Sequence, residues 1–280
     1  MSAAPDPRPN LLERERGGRL SRVERIQVRL IRRITEPGWF DSGRRWLQRN
    51  GSQRWIHALI KNLLTEFGTE RLPEFDPNKS YIIAANHLSI FDLYAATSQL
   101  MRRGLPHRVF FPVKSEFFYD TPAGFVVNAL MSGCAMYPPI FRQRERAALN
   151  IGSLDELAWL LRQGGTMVGI HPEGQRSTSG DPYQLLESQS GVGRLARQSG
   201  AIVIPVFING LVNDLSHQVK SNFTNSGTPI HLVFGKPVEL DELMQKAPSP
   251  KLYREITARV MAAIQDLAFE ERDYRDQLPN

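Results

Sequence analysis

His87 and Asp92 are the residues of this chain whose types and spacing most readily suggest chemistry. They stand five apart in the stretch AANHLSIFDLYAA, residues 84–96. A neutral imidazole can take a proton from a hydroxyl. It does so better when its other nitrogen donates to a carboxylate that fixes tautomer and orientation. His87 and Asp92 would be two members of a Ser-His-Asp triad without the serine. Ser89, two residues after His87, is a rival nucleophile on the same turn. If the protein supplies no nucleophile, the attacking group is a hydroxyl of the substrate, and the chemistry is direct transfer between two substrates. The spacing alone is weak evidence.

More groups of the right kind stand where a ligand would gather. In open α/β sheets that place is beyond the C-terminal ends of the strands. Lys114 ends the run RVFFPVK and Arg142 follows CAMYPPI. His171, Pro172, Glu173, Gly174, Gln175 and Arg176 follow TMVGI. Lys114, Arg142 and Arg176 suit a phosphate, and guanidinium offers it a bidentate grip. An imidazole, a carboxylate and three cations define a convergent candidate site. His57, His107, His217 and His231 stand alone, and no cluster has metal-ligand spacing.

The elements that must position these residues begin near residue 80. Short apolar runs alternate with helical stretches. The expected strands are 81–86, 108–114, 134–140, 166–171, 201–208 and 230–235; the expected helices are about 92–102, 115–130, 143–163, 185–199 and 251–268. This pattern predicts an α/β fold with a largely parallel central sheet flanked by helices. Before it, residues 1–20 read as a disordered tail without the apolar core of a secretory signal, and 21–70 as a helical membrane-associating extension of the α/β domain at 71–280. Val23, Ile26, Leu30 and Ile34 would line one helical face, capped by Ser21 and ended by Pro37-Gly38. Trp39, Trp46 and Trp55 follow, and a second amphipathic helix is expected at about 53–67.

Charge supports that division. The net charge is +6, but residues 14–61 alone carry about +9 and the rest about −3. The partner so implied is an anionic membrane surface, met from the cytoplasmic side by a peripheral or monotopic attachment. A nucleic acid is excluded, because a periodic apolar face would be wasted on it. Residues 121–141 hold no charge but contain three prolines and two glycines, so they read as core, helix plus strand, with a second role open to them as the wall of an acyl channel. The single cysteine, Cys134, rules out an intrachain disulfide and reads as a buried structural thiol.

Four of these stretches resemble the motifs of the glycerolipid (lysophosphatidic acid) acyltransferases, in order and spacing. NHLSIFD resembles their Asn-His-x-x-x-x-Asp motif and HPEGQRS their Pro-Glu-Gly-x-Arg-Ser motif. YPPIFR stands where they carry an apolar run ending in Arg, and VIPVFI resembles their Val-Pro-Val motif. The resemblance covers roughly residues 75–240. It implies acyl transfer from acyl-CoA or acyl-carrier protein to a lysophospholipid, most naturally 1-acyl-glycerol-3-phosphate, in phospholipid biosynthesis, with no cofactor and no metal. It further implies that His87 is the general base and Asp92 its partner. Lys114, Arg142 and Arg176 would hold the acceptor's phosphate, and Glu173 and Gly174 would shape the acceptor pocket. Two positions depart from the family pattern: His171 replaces the usual aromatic, most often Phe, and Gln175 the usual Thr. Both bear on the acceptor. The alternatives are a lipid-binding homologue without turnover and a hydrolase using water as acceptor.

Overall fold

The computed structural model describes residues 7–14, 20–36 and 39–277, without the side chains of Arg14 and Trp39. One sheet contains β1 (Leu64–Phe67), β2 (Tyr81–Ala85), β3 (Arg108–Lys114), β4 (Met136–Ile140), β5 (Thr166–Ile170), β6 (Ile202–Asn209) and β7 (Ile230–Phe234). Their order is β1-β7-β6-β2-β5-β3-β4. Every pairing is parallel except β6 with β7. All residues of β2, β5 and β7 are buried, which is why these strands read as continuous apolar runs rather than alternating ones.

The helices in chain order are α1 (Arg22–Ile34), α2 (Trp39–Leu47), α3 (Gln53–Ile60), α4 (Asp92–Arg102), the single turn α5 (Ser115–Phe118), α6 (Pro122–Ser132), α7 (Ala147–Arg162), α8 (Gly191–Ser199), α9 (Leu215–Thr224), the short α10 (Asp241–Met244) and α11 (Pro250–Asp276). Helices α1, α7, α8 and α11 contribute to the core on one face of the sheet, and α3 and α4 to the core on the other. The expected sheet and its flanking helices are therefore present.

The N-terminal quarter differs from expectation. Residues 7–14 of the expected tail are built into the protein, while residues 1–6 and 15–19 lie outside the described residues. Leu11 is fully buried, and Arg8 donates at 2.8 Å to the buried Glu156 of α7. Helix α1 starts at Ser21, which forms a capping box with Glu24. Its expected end at Pro37-Gly38 also lies outside the described residues. The anticipated apolar face is split. Val28 and Ile31 enter the core, whereas Ile26 is 62% and Leu30 43% exposed. The expected second helix stops at Ile60, because Leu64–Phe67 pairs in parallel with β7. Gln48 pairs with Val109 of β3, ahead of the point where β4 begins to pair: its side-chain oxygen accepts from Val109 N–H and its amide donates to Val109 O. β1, which lies before the boundary expected at residue 70, thus belongs to the same sheet as β7.

Residues 121–141 also correct the expectation in part. The strand half is core, but α6 buries Gly124, Asn128 and Ser132 and turns Val126 and Leu130 outward. Asn128 explains the inversion. It accepts from Met136 N–H and donates to Met136 O, so the start of β4 needs that amide beside it.

Candidate active site

The site forms where β2 ends. Asn86 closes the strand by exchanging two hydrogen bonds with Ile208 of β6, at 2.9 and 2.8 Å. His87 is the next residue, and its loop turns into α4 at Asp92. Gly169 of β5 lets that helix sit close to the sheet: a Cβ there would come within 2.7 Å of Phe111 and 3.0 Å of Leu93.

Asp92 is fully buried and its Oδ2 lies 3.4 Å from His87 Nδ1. The same oxygen accepts the backbone N–H groups of Leu88 and Ser89 at 2.8 and 2.7 Å. With Nδ1–H directed at the carboxylate, Nε2 carries the lone pair, and the His87 side chain stays 20% exposed. Burial lowers the His87 pKa to about 4, helped by the cations Arg176 and Arg142 and opposed by the Ser89 backbone. Burial raises Asp92 to about 7, against the pull of His171, the two backbone donors and Arg176. From about pH 4 upward this leaves the imidazole uncharged, the form that accepts a proton. Ser89 is fully buried; its hydroxyl accepts from Phe91 N–H and donates to Val212 O, so it is held in the turn.

Glu173 is buried, and both its oxygens are taken by backbone. Oε1 accepts from His87 N–H at 2.8 Å and Oε2 from Leu186 N–H at 2.7 Å. Ser177 N–H donates to His87 O at 2.8 Å, a further tie between the two motif loops. Gly174 turns the chain between them in the left-handed region, φ +68°, with its N–H on His171 O. The Leu186 tie and a second one, Gln189 N–H to Pro172 O, hold 183–190 as loop, which is why the helix expected from 185 begins at 191.

The cations are placed unequally. Arg176 and Arg142 are exposed, and both act on the His87 imidazole through their charge. Arg176 also donates to Asn213 Oδ1 at 2.9 Å. Lys114 stands at the end of β3 beside Ile140, but its ammonium is paired with Glu116 at 3.5 Å. Sequence reasoning missed Asn213, which accepts from Ile90 N–H and donates to Leu88 O, fastening the His87 loop from the β6 side. The signal was available, since Asn213 follows the C-terminal end of β6 as His87 follows that of β2. A cavity of about 20 Å³, room for a water, is lined by Ile56, Met101, Phe111, Ser132 and Ala135.

His171 brings a further ring to the site. It stacks on His87 with centroids 3.8 Å apart and planes 6° from parallel, and its Nδ1–H donates to Ala85 O at 3.0 Å. His87, Asp92 and His171 place one potential ligand atom each within 4.8 Å of one another. Two parallel rings, however, share no plane, so their in-plane lone pairs do not meet at one ion.

An imidazole beside a carboxylate at the edge of a largely parallel sheet, with cations around it, is an arrangement that can take a proton next to an anionic group. The chain belongs to the Acyltransferase family, whose model matches residues 64–209, just over half of it. It is similar to the mouse 1-acyl-sn-glycerol-3-phosphate acyltransferase alpha, 28% identical over 153 residues, which are 55% of this chain and 48% of that protein. The human protein of the same name is 26% identical over 165 residues, 59% of this chain and 53% of the relative. The chain thus spans about half the length of the curated relatives it matches. A solved structure, the 1-acyl-sn-glycerophosphate (LPA) acyltransferase PlsC from Thermotoga maritima, aligns with a TM-score of 0.48 at 18% identity, covering 85% of this chain and 87% of that one.

Proposed function

We propose that this protein transfers a fatty acyl group from a thioester donor, acyl-CoA or acyl-carrier protein, to the hydroxyl of a lysophospholipid, with 1-acyl-glycerol-3-phosphate as the favoured acceptor. The observation that carries this reading is a partly exposed His87 backed by the buried Asp92, with the Ser89 hydroxyl turned away into its loop. His87 Nε2 takes the proton of the acceptor hydroxyl as its oxygen attacks the thioester carbonyl. The tetrahedral intermediate collapses, the C–S bond breaks, and the imidazolium returns the proton to the thiolate. Asp92 holds the ring and offsets its transient charge. Arg142 and Arg176 hold the acceptor's phosphate; Lys114 reaches it only by leaving Glu116. Glu173 and Gly174 shape the site by holding the two motif loops together.

The same reading places the protein on an anionic membrane, on the cytoplasmic face. No helix among the described residues is long and apolar enough to cross a membrane. Ile26 and Leu30 of α1, Trp46 of α2 and Leu130 of α6 point outward, and Gln27 of α1 donates to Thr121 O at the start of α6. Arg45 and Arg49 line a groove of about 510 Å³ beside Trp46, suited to lipid phosphates.

The test is thiol release and lipid mass spectrometry with purified protein, both donors and a panel of lysolipids. Acylated lipid is expected to form in step with free thiol, and His87→Ala to lose about 10²–10⁴-fold in rate while remaining folded. Arg142→Ala and Arg176→Ala are expected to raise the acceptor KM more than the donor KM. Near-normal turnover by folded His87→Ala would overturn the mechanism. Free fatty acid in place of acylated lipid would replace transfer by hydrolysis.

A further inference from the structure

Among the features not used above, the ring of His171 is the one that touches the reacting machinery directly. Its plane is set from the scaffold: Nδ1–H donates to the carbonyl of Ala85, the last residue of β2 and two residues before His87. Its face lies 3.8 Å from the face of His87, 6° from parallel. The hydrogen bond from His87 to Asp92 is long, 3.4 Å, and reaches an oxygen that already serves two backbone donors. A bond that long holds the imidazole loosely, and a flat neighbour fixed to the sheet blocks its swing.

We propose that His171 is a positioning residue for the base: it backs one face of His87, fixes the plane in which Nε2 meets the acceptor hydroxyl, and offers a π face to the charge that His87 gains during transfer. The inference rests on the acyl-transfer reading for the purpose of that stack, and on geometry alone for the stack itself. A cation against a desolvated aromatic face is stabilised, and an orientation error at the attacking group is costly in rate. The role requires an uncharged His171. Burial and the facing His87 lower its pKa to about 4, while Asp92 and the backbone of Ala85 and Asn86 pull the other way.

The experiment compares His171→Phe, which keeps a flat face, with His171→Leu, which keeps bulk without one; His171→Met replaces the latter if it does not fold. With saturating thioester and lysolipid, the Leu variant is expected to lose about tenfold in kcat with both KM values within about twofold of the parent, and the Phe variant to recover most of that loss. Histidine-selective NMR supplies a readout independent of turnover. The His87 ring signal, assigned by its disappearance in His87→Ala, should carry an upfield ring-current shift in the parent and in His171→Phe, and lose it in His171→Leu. Unchanged kcat in the Leu variant would overturn the proposal. So would a loss confined to KM, or a Phe variant as impaired as the Leu one. If the parent itself transfers no acyl group to any acceptor, the functional reading fails separately, and the NMR comparison still decides whether the ring stacks.

Discussion

Asp92 uses its two oxygens unequally. Oδ2 faces His87 and takes two backbone N–H groups, while Oδ1 is buried with no hydrogen-bond partner. Burial therefore outweighs the donors, and the carboxyl pKa rises from 3.8 to about 7. A pKa higher in the folded state means that folding takes up a proton. The stability linked to that proton is full below the unfolded value and is lost as pH rises from about 4 through about 7. Asp92→Asn removes the charge and so is expected to be more stable than the parent at pH 8. The gap should be on the order of a few kcal/mol and close as pH falls toward 4. The same variant is expected to be severely impaired in transfer, because it cannot offset the imidazolium. Urea unfolding of both proteins across this pH range is the measurement. A variant less stable than the parent at pH 8 would show that the charged carboxylate stabilises the fold instead.

The loop after β5 acts as a clamp on the loop after β2. Glu173 accepts from His87 N–H on one side and Leu186 N–H on the other, and Ser177 N–H reaches His87 O. Glu173→Ala would leave two donors unpaired in a buried place, at about 1–3 kcal/mol each. It is expected to lower both stability and kcat, with Glu173→Gln recovering part of each because one amide oxygen can still accept. Chemical unfolding together with steady-state kinetics tests this. A rise in acceptor KM with stability and kcat intact would instead assign Glu173 to direct contact with the acceptor.

At the scale of the whole molecule, the excess positive charge of residues 14–61 shares the N-terminal quarter with the exposed Ile26, Leu30, Phe40 and Trp46, and α6 adds the exposed Val126 and Leu130. Each Arg close to an anionic surface contributes about 1 kcal/mol, screened over about 10 Å at 0.1 M salt. Apolar insertion is not screened. Vesicle co-sedimentation is therefore expected to weaken at high salt without vanishing, and Ile26→Asp with Leu130→Asp to remove the salt-resistant part. Point variants suit this test better than truncation, because Val28, Ile31 and Gln48 support the core and a deletion would damage it. Transfer to a short-chain soluble acceptor should be little changed in the double variant. Equal vesicle binding by parent and variant would rule this face out as an attachment surface.

The sequence by itself determined the largely parallel sheet and the strand ends at which the candidate site residues stand. Continuous apolar runs report strands covered on both faces, and in such a sheet the residues after each strand share one edge, which is how His87, Asp92, Arg142 and Arg176 were found together. What local pattern cannot carry is pairing between distant segments. The four residues of β1 read as the end of a helix until β7 lies beside them, and Arg8 reads as tail until it meets Glu156. Helix α6 reads as core until Asn128 is needed at Met136, and that demand turns its apolar side chains outward. Glu173 and His171 were visible as motif residues, but their partners were not. Only the tertiary fold decides that one closes on the backbone of His87 and the other lies flat against its ring. The bonds that place them, Glu173 to His87 N–H and His171 to Ala85 O, each join residues 86 apart in the chain, beyond the reach of any local pattern.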